Sequence, residues 1–361
     1  MKKLLTSLIV AAVTLTTLVA SVASAAGYNP NKDPNGDGVI TVADATYIYQ
    51  FLNGKYKVPD LTRLDVDDNA VVSAADSMYI LMHDAGVLST SLSETDSIDA
   101  VSASQSTREY SVYDAKTGAY KKNYSLSVDD YTNSVSTNSI VSGNYKPETN
   151  YDNRGTAKII CVGGSFGSGF VVGKHTIATA GHMVYDGSTA SPRKISKILL
   201  FDANENPSSF TPVECHVPDL YKSNTFSSNY DYALITVKED LSDYMSFNLG
   251  AITNEASNLS IDVVGFPKSY KETTYNNASY IHNEVLTEGS VISVDDKVFY
   301  HSADTLGGNS GGPVFVSETL NGITYNTVVG IHVGGTSTRN TSVRLTAEVL
   351  KFLNGNTNIE Y

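Results

Sequence analysis

The sequence predicts a mainly all-β fold with a small α-helical module before it. From Thr156 onward, short apolar and β-branched runs are separated by Gly, Asn and Pro, which is typical of an all-β barrel or sandwich. Between residues 33 and 86, an acidic loop followed by a helical segment occurs twice. The predicted strands are Ala157–Val162, Gly169–Val172, Ile177–Ala180, Lys197–Phe201, Tyr232–Val237, Ser260–Val264, Val298–His301, Val314–Val316 and Thr327–Ile331.

The first 25 residues have the pattern of a secretory signal. Lys2 and Lys3 precede an uncharged apolar stretch, 4–22, and Ala23-Ser24-Ala25 fits the small-residue rule for cleavage. A membrane anchor is the alternative, but the apolar stretch is short for a span and the cleavage tripeptide follows it directly. We therefore expect a secreted, extracellular protein with no membrane contact once residues 1–25 are removed.

Composition limits the partners and the redox chemistry. The formal net charge is −13, so the chain lacks the excess of basic side chains with which proteins displace counterions from nucleic acid. There are two cysteines, Cys161 and Cys215. In an oxidising compartment they can pair, so we expect a disulfide, with two buried, unlinked thiols as the alternative.

The two acidic loops have the residue types and spacing of calcium-binding loops. Such loops supply oxygen ligands from positions 1, 3, 5, 7, 9 and 12, with the backbone carbonyl at position 7. Gly38 occupies the sharp turn of the first loop, whereas Ala70 replaces glycine in the second. Because a Cβ in a left-handed conformation costs about 1 kcal/mol, the second site is expected to bind more weakly. The predicted calcium ligands are Asp33, Asn35, Asp37, Val39, Thr41 and Asp44 in the first loop, and Asp65, Asp67, Asn69, Val71, Ser73 and Asp76 in the second.

A helix is predicted after each loop, Ala45 to Leu52 and Ser77 to about Asp84, but none before it. This duplicated pattern, within residues 26–88, resembles the dockerin modules of cellulosomal proteins. The resemblance implies that a cohesin domain of a scaffold protein is the partner and that loop positions 10 and 11 contact it. Those positions hold Val42 and Ala43 in one copy and Ala74 and Ala75 in the other. A purely structural calcium module is the alternative.

The segments on either side of the β-rich part differ in pattern. Ser, Thr, Asp and Asn dominate residues 89 to about 150 and no clear period is apparent, so 89–138 is predicted to be a linker or a pro-segment. The tail predicts a closing helix over Ser342–Asn354. Its apolar residues at helical spacing are Leu345, Val349, Leu350 and Leu353.

Three segments carry the residue types of nucleophilic catalysis. Ser310 lies within Gly307–Pro313, where flanking glycines allow an exposed turn whose backbone N–H groups can converge on a negative oxygen. A hydroxyl needs a base, and His182 follows an apparent strand at a small-residue turn. The base needs an orienting carboxylate, and Asp231 precedes an apolar strand that would bury it.

The order His182, Asp231, Ser310, in the motifs Thr-Ala-Gly-His, Asp-x-Ala-Leu and Gly-Asn-Ser-Gly-Gly-Pro, resembles the chymotrypsin-like serine peptidases. The resemblance implies two six-stranded antiparallel β-barrels, with an active site in the groove between them, in a peptidase domain spanning 139–361. It implies that Ser310 is the nucleophile, His182 the general base and then acid, and Asp231 the orienting carboxylate. The N–H groups of Gly308 and Ser310 would form the oxyanion hole, and the substrate would be a polypeptide.

Two further residues predict the bond that is cut. Thr305 lies five residues before Ser310, and His332 lies in Gly-Ile-His-Val-Gly-Gly; together they resemble the glutamyl endopeptidases of staphylococci and bacilli. In that family the corresponding threonine and histidine bind the glutamate carboxylate of the substrate. Asp304 leaves an alternative open, because a carboxylate facing the pocket would favour Lys or Arg, whereas pairing with His332 would strengthen glutamate binding.

The sequence leaves two interpretations open both for the maturation of the chain and for its catalytic activity. The segment Asn138–Ser142 resembles the start of mature glutamyl endopeptidases, and cleavage there would separate the dockerin-like module from the peptidase unless the pieces stay associated. A non-catalytic scaffold component, whose β-domain only binds protein, is the second hypothesis for the whole chain.

Overall fold

The computed structural model describes residues 32–38, 40–58, 60–84, 104–130, 155–202, 206–223, 227–244, 247–268, 273–275, 278–280, 284–320 and 323–355. Three sequence predictions lie outside these ranges: the signal segment 1–25, the carbonyl ligand Val39 and the mature start at Asn138–Ser142.

The N-terminal module is a pair of helices, each following one acidic loop. They are α1 (Val42–Leu52) and α2 (Ala74–Asp84), with the short strand β1 (Val71–Val72) and a 3-10 turn, Leu61–Arg63, between them. Both helices begin three residues earlier than predicted. In α1, the Asp44 carboxylate accepts the Thr41 backbone N–H while the Thr41 hydroxyl accepts the Ala43 N–H, so the last loop residue closes a capping box.

Six antiparallel strands form the first barrel, in the order β9-β4-β5-β6-β12-β11, and β11 lies beside β9 to close it. Its core includes Ile159, Phe170, Ile177 and Ile235, all fully buried. The strands up to this point are β2 (Ser104–Asp114), β3 (Tyr120–Asp130), β4 (Thr156–Cys161), β5 (Phe166–Gly173), β6 (Thr176–Thr179), β7 (Tyr185–Asp186), β8 (Ser191–Pro192), β9 (Ile195–Phe201), β10 (Pro207–Phe210), β11 (Pro212–Pro218) and β12 (Ala233–Val237). Short helices α3 (Gly181–Val184) and α4 (Asp219–Ser223) and the 3-10 turns Ser228–Tyr230 and Ser242–Tyr244 connect them or follow them.

The second barrel is also six-stranded, in the order β21-β20-β15-β18-β19-β22, and pairing of β21 with β22 closes the ring. Its strands and their neighbours are β13 (Phe247–Leu249), β14 (Ala251–Ile252), β15 (Ser260–Gly265), β16 (Thr273–Tyr275), β17 (Ala278–Tyr280), β18 (Val285–Val294), β19 (Val298–His301), β20 (Pro313–Leu320), β21 (Ile323–Gly335) and β22 (Asn340–Arg344). The prediction of two six-stranded antiparallel barrels is therefore confirmed.

Strands β2 and β3 form a hairpin that extends the sheet of the first barrel. Strand β2 pairs with β11 from Asp114↔Glu214 to Tyr110↔Pro218. Residues 104–130 are therefore not a flexible linker. That residues 89–138 form a pro-segment stays a prediction. The hairpin was missed because only one face of β2 is strongly apolar: Tyr110 and Val112 are fully buried, whereas the described part of β3 is exposed or half-buried.

The closing helix α5 (Ala347–Gly355) starts later than predicted. Residues 342–344 instead complete β22, because the second barrel needs that strand between β19 and β21 to close. The apolar residues behind the prediction are all buried, and Phe352 stacks on Tyr110 of the hairpin with ring centroids 4.6 Å apart.

The expected disulfide is not formed. Cys161 on β4 and Cys215 on β11 are both free and buried in the core of the first barrel. Burial raises the pKa of both thiols, so they behave as small apolar side chains, which was the alternative reading of the sequence.

Candidate active site

Strands β6 and β12 bring His182 and Asp231 together. The two strands are antiparallel neighbours with Thr179 opposite Ala233, so the segment that follows β6 meets the segment that precedes β12. The Asp231 carboxylate accepts the backbone N–H of His182 through Oδ1, at 2.8 Å, and contacts the imidazole Nδ1 through Oδ2, also at 2.8 Å. One carboxylate thus fixes both the main chain and the ring of His182.

The environment of His182 makes its imidazole a stronger base than usual. Burial lowers the pKa of His182, but attraction to the Asp231 carboxylate and their hydrogen bond outweigh it, so the pKa is raised above 6.5. The side chain is still 30% exposed, whereas that of Asp231 is 11% exposed. The arrangement is a solvent-reachable base held by a nearly buried carboxylate.

Ser310 lies on a glycine turn between the two barrels. Gly308 and Gly311 have φ of +111° and +86°, which side chains rarely adopt. A Cβ at Gly308 would clash with the Phe266 carbonyl, and one at Gly311 would clash with the Ser168 carbonyl. The turn therefore requires glycine both for its conformation and for its close packing.

Ser168 of β5 attaches this turn to the first barrel. Its backbone N–H donates to the Ser310 carbonyl at 2.8 Å, and its hydroxyl donates to the Gly308 carbonyl at 2.8 Å. A Cβ at Gly311 would lie 2.9 Å from the Ala180 nitrogen, two residues before His182. In the described part of the chain no hydrogen bond joins the Ser310 hydroxyl to His182, whose imidazole bonds Asp231.

Two backbone donors beside Ser310 remain available to a ligand. Among the described residues, neither the N–H of Gly308 nor that of Ser310 donates to a protein acceptor, whereas the flanking N–H groups of Asn309 and Gly311 donate to Leu306 and His332 carbonyls. These are the two donors that the sequence predicted for an oxyanion hole.

His332 supports the turn from the second barrel. Its backbone N–H donates to the Gly312 carbonyl at 2.9 Å, and its carbonyl accepts the Gly311 N–H at 2.7 Å. The side chain is 2% exposed, packs 5.6 Å from the His301 ring, and its Nδ1 has no hydrogen-bond partner within the described residues. Burial, with smaller effects from His301 and His182, holds the pKa of His332 well below 6.5, so its ring is neutral at neutral pH.

Thr305 lies on the other side of this region. Its hydroxyl donates to the Asn340 Oδ1 at 2.9 Å, while the Asn340 amide donates to the Ala303 carbonyl at 2.7 Å. Asn340 and His301 were not found by sequence reasoning. Strand register brings these two residues together, since β19 places His301 opposite Asn340. That register cannot be read from the sequence alone.

Asp304 does not pair with His332. Its backbone carbonyl accepts the Thr287 hydroxyl at 2.8 Å, its side chain is half-buried, and no ion pair joins it to His332 in the described ranges. The idea that Asp304 keeps His332 protonated is therefore wrong for this structure.

The two acidic loops each bring three carboxylates together. Oxygens of Asp33, Asp37 and Asp44 lie within 4.8 Å of one another, as do oxygens of Asp65, Asp67 and Asp76. This all-oxygen donor set fits Ca²⁺. Gly38 and Ala70 have φ of +88° and +68°, so both turns are left-handed as the loop pattern requires.

The other predicted loop ligands surround these carboxylates. Asn35 donates to Asp37, and the Asn69 Oδ1 accepts the Val71 N–H at 2.7 Å. The hydroxyls of Thr41 and Ser73 accept backbone N–H groups of the helices that follow. The carbonyl of Val71 belongs to β1, and Val39 lies outside the described residues.

Crowding in the loops disfavours their ionised carboxylates. Burial, together with neighbouring carboxylates and against the effect of backbone hydrogen bonds, raises the pKa of Asp44 to about 6 and that of Asp67 to about 7. The pKa of the fully buried Asp76 is raised well above its usual value, chiefly by burial.

Comparison with known proteins points to one family. Residues 167–331 match the family model of the trypsin-like peptidase domain. The chain is 25% identical over 203 residues to a glutamyl endopeptidase of Bacillus licheniformis and 28% identical over 193 residues to one of Staphylococcus epidermidis. Each alignment covers 53% of this chain, and the chain spans 60% and 62% of the length of these relatives.

Solved structures include similar chains. A Glu endopeptidase in complex with MPD is 24% identical, with 57% of this chain and 92% of that chain covered, at a TM-score of 0.46. The helices in the described ranges are all too short or too polar for a transmembrane span. His182, Asp231 and Ser310 all fall within residues 167–331, the range that is similar to the trypsin-like peptidase domain.

Proposed function

We propose that this protein is a serine endopeptidase that uses Ser310, His182 and Asp231. The observation that supports it most is the Asp231 carboxylate, which holds both the backbone and the ring of His182 beside the glycine turn of Ser310. The similarity of residues 167–331 to trypsin-like peptidases supports the same reaction.

In the proposed reaction, the Ser310 Oγ attacks the substrate carbonyl while the His182 Nε2 takes its proton. The negative oxygen of the tetrahedral intermediate accepts hydrogen bonds from the N–H groups of Gly308 and Ser310, each contributing roughly 3–4 kcal/mol to lowering the barrier. The C–N bond breaks as His182 returns the proton to the leaving amine, leaving an acyl ester on Ser310. Water, deprotonated by His182, then hydrolyses the ester and regenerates the hydroxyl.

An active-site probe tests this proposal. A fluorophosphonate should label the protein covalently, and Ser310→Ala should abolish labelling. Ser317→Ala is the matched control, because Ser317 is exposed on the strand that follows and its hydroxyl bonds only Asn326 among the described residues. Labelling that persists in Ser310→Ala, or no labelling of folded mature protein, would favour the non-catalytic scaffold hypothesis.

We propose cleavage after glutamate, bound by His332 and Thr305. The His332 ring is neutral and no hydrogen bond holds its buried Nδ1 within the described residues, and a substrate carboxylate beside the ring would raise the pKa of His332 and favour the imidazolium. A protonated imidazole about 4 Å from a carboxylate gains roughly 4 kcal/mol at an effective dielectric near 20, before desolvation. The relatives named glutamyl endopeptidase support this preference.

A peptide panel that differs only in Glu, Asp, Gln, Lys or Phe before the cut separates the specificities. Glutamate should give the highest kcat/KM, and His332→Val should remove that preference, while His175→Val, in the turn before β6, should keep it. Dominant cleavage after Lys, insensitive to His332→Val, would support the alternative role of Asp304.

We propose further that each acidic loop holds one Ca²⁺ and that the module binds a cohesin domain of a scaffold. The carboxylates of Asp33, Asp37 and Asp44, and of Asp65, Asp67 and Asp76, would supply the charged ligands. Val42 is 54% exposed and Ala43 is exposed, so the first copy offers its predicted contact positions to a partner. Calcium-dependent capture by a panel of cohesins, lost in Val42→Asp, tests this; capture that persists in EGTA would contradict it.

A further inference from the structure

The second acidic loop is joined to the second barrel by a strand pair. Strand β1 of the loop pairs antiparallel with β14, with Val71 opposite Ile252 and Val72 opposite Ala251. The N–H of Thr253 also donates to the Ala70 carbonyl at 3.0 Å. Val71 and Val72 are fully buried by this contact, so the loop is packed on the barrel and is not a separate tether.

A carboxylate of the barrel faces this loop. Glu318, on β20, accepts a hydrogen bond from the Asn69 amide at 2.8 Å and one from the Ser73 hydroxyl at 3.4 Å, both through Oε1. Its Oε2 accepts the Thr327 hydroxyl at 2.8 Å, which fixes the carboxylate within the barrel. Asn69 and Ser73 are positions 5 and 9 of the loop, both predicted ligand positions.

These contacts orient two predicted ligands. With the Asn69 nitrogen and the Ser73 hydroxyl proton directed to Glu318, each side-chain oxygen accepts one backbone N–H, from Val71 and Ala75, and keeps a second lone pair for a cation. Outer-shell hydrogen bonds of this kind hold metal ligands in position, and their loss typically lowers metal affinity about 10- to 100-fold.

The charge balance favours a cation at this position. Glu318 adds a fourth carboxylate beside Asp65, Asp67 and Asp76, whereas Lys32 is the cationic side chain that contacts this loop among the described residues. Lys32 contacts Asp68 and the Asp65 carbonyl at the outside of the loop, and Arg63 bonds the carbonyls of the first loop. A divalent cation among the carboxylates would compensate the excess negative charge.

We propose that the second loop is a calcium site shared between the module and the second barrel, in which Glu318 of the barrel holds Asn69 and Ser73 in ligand orientation. Calcium binding then stabilises the pairing of β1 with β14, and through it both the barrel and the module. This inference rests on the calcium binding proposed above and is independent of the peptidase activity.

Calorimetric calcium titration of the full chain tests the proposal. Ser310→Ala serves as the background, so that the chain stays intact. Two binding events are expected; Glu318→Gln should weaken one of them about tenfold or more and leave the other unchanged. Glu288→Gln is the matched control, because Glu288 is exposed on β18 of the same barrel. Asp33→Ala, which removes the first site, should leave the Glu318-sensitive event in place.

Hydrogen exchange in the same background gives a second measurement that does not depend on the folding of a Glu318 variant. Calcium should slow amide exchange in Ala251–Ile252 and in β20 as well as in the loop. Protection confined to residues 65–84, or equal affinities in Glu318→Gln and its control, would overturn the shared site. An absence of any calcium binding would overturn it too, while probe labelling of the protein with Ser310 intact would report the peptidase separately.

Discussion

At the scale of single residues, Asp231 has the most constrained role in the site. Its two oxygens bond different atoms of His182. Replacing one oxygen should therefore change the orientation of the imidazole more than it changes the fold. An imidazole whose Nδ1–H is held by a carboxylate presents an unprotonated Nε2 to the nucleophile. Asp231 therefore contributes tautomer selection to the proposed reaction, in addition to the charge that raises the pKa of His182.

Asp231→Asn should leave the protein folded and lower kcat by about 10⁴-fold, because the amide can donate to Nδ1 and select the wrong tautomer. Steady-state kinetics on the preferred peptide, with circular dichroism as the check on folding, measures this. Asp240→Asn is the control, since Asp240 forms an exposed ion pair with Lys174. A loss of less than tenfold would exclude the proposed role of Asp231.

The pH dependence follows from the raised pKa of His182. The base works only when neutral, so the rate should fall as pH decreases through a value above 6.5 and reach a plateau on the alkaline side. The rate of labelling by an uncharged fluorophosphonate measures this without titration of a substrate carboxylate. An acid limb centred below pH 6 would show that Asp231 does not stabilise the imidazolium.

At the scale of elements, the glycine turn around Ser310 joins the two barrels. It bonds Ser168 of the first barrel and His332 of the second, so its shape decides how the barrels meet. Two nearby glycines differ sharply in their surroundings. A Cβ at Gly311 would clash with Ser168 and Thr179, whereas a Cβ at Gly307 would have no atom within 4 Å.

Gly311→Ala should therefore destabilise the protein and abolish probe labelling, while Gly307→Ala should do neither. Overpacking typically costs about 1–3 kcal/mol, and the positive φ of Gly311 adds to that cost. Urea unfolding of both variants measures the difference. Equal stabilities would mean that the turn can move away from Ser168.

Elements with a local signature were predictable from the sequence, and elements defined by their partners were not. The strand before His182 and the strand after Asp231 were found because they are short apolar runs with clear ends. Hairpin β2–β3 was missed because many of its side chains are polar and its partner, β11, lies about a hundred residues further along the chain. Likewise, Asn340 joins the site through strand register, and Glu318 joins the second loop across 249 residues from Asn69.

At the scale of the whole molecule, one buried carboxylate links three parts of the chain. Glu348 of α5 is 2% exposed, and it contacts Arg108 of the hairpin, Lys297 of the second barrel and the hydroxyl of Tyr232 in the first. Burial raises the pKa of Glu348, but Lys297 and Arg108 outweigh it and lower the pKa below 4.5. The ionised carboxylate is thus the form that stabilises the fold.

Glu348→Ala should lower the free energy of unfolding by about 3 kcal/mol at pH 7. This cost is near the lower end for breaking a buried ion pair, because Arg108 and Lys297 are partly exposed and can be rehydrated. The difference from wild type should shrink as pH falls below 4.5, since wild type then loses the same ion pairs. Denaturant unfolding at several pH values tests both statements. Glu109→Gln, exposed on the same hairpin, should have little effect at any pH, and a difference that grows in acid would contradict the argument.

These contacts bear on whether maturation would release the module. The hairpin pairs with β11 over five residue positions, Arg108 bonds Glu348, and the Asn354 amide donates to the Leu52 carbonyl of the module at 3.0 Å. A chain cut between residues 138 and 139 would therefore keep its N-terminal piece bound to the peptidase domain. If the N-terminal module binds a scaffold as proposed above, it would then tether the cleaved peptidase domain without a covalent connection.

A specific cleavage site inserted between residues 138 and 139 of the Ser310→Ala protein tests this association. After complete cleavage, both pieces should co-elute in size-exclusion chromatography and separate only in denaturant. Arg108→Ala combined with Glu348→Ala should weaken the complex and allow the N-terminal piece to dissociate on dilution, because both sides of the buried ion pair are then removed. Elution of the peptidase piece alone from the otherwise unaltered protein would mean that maturation frees the enzyme from its scaffold, and the module would then anchor only the precursor.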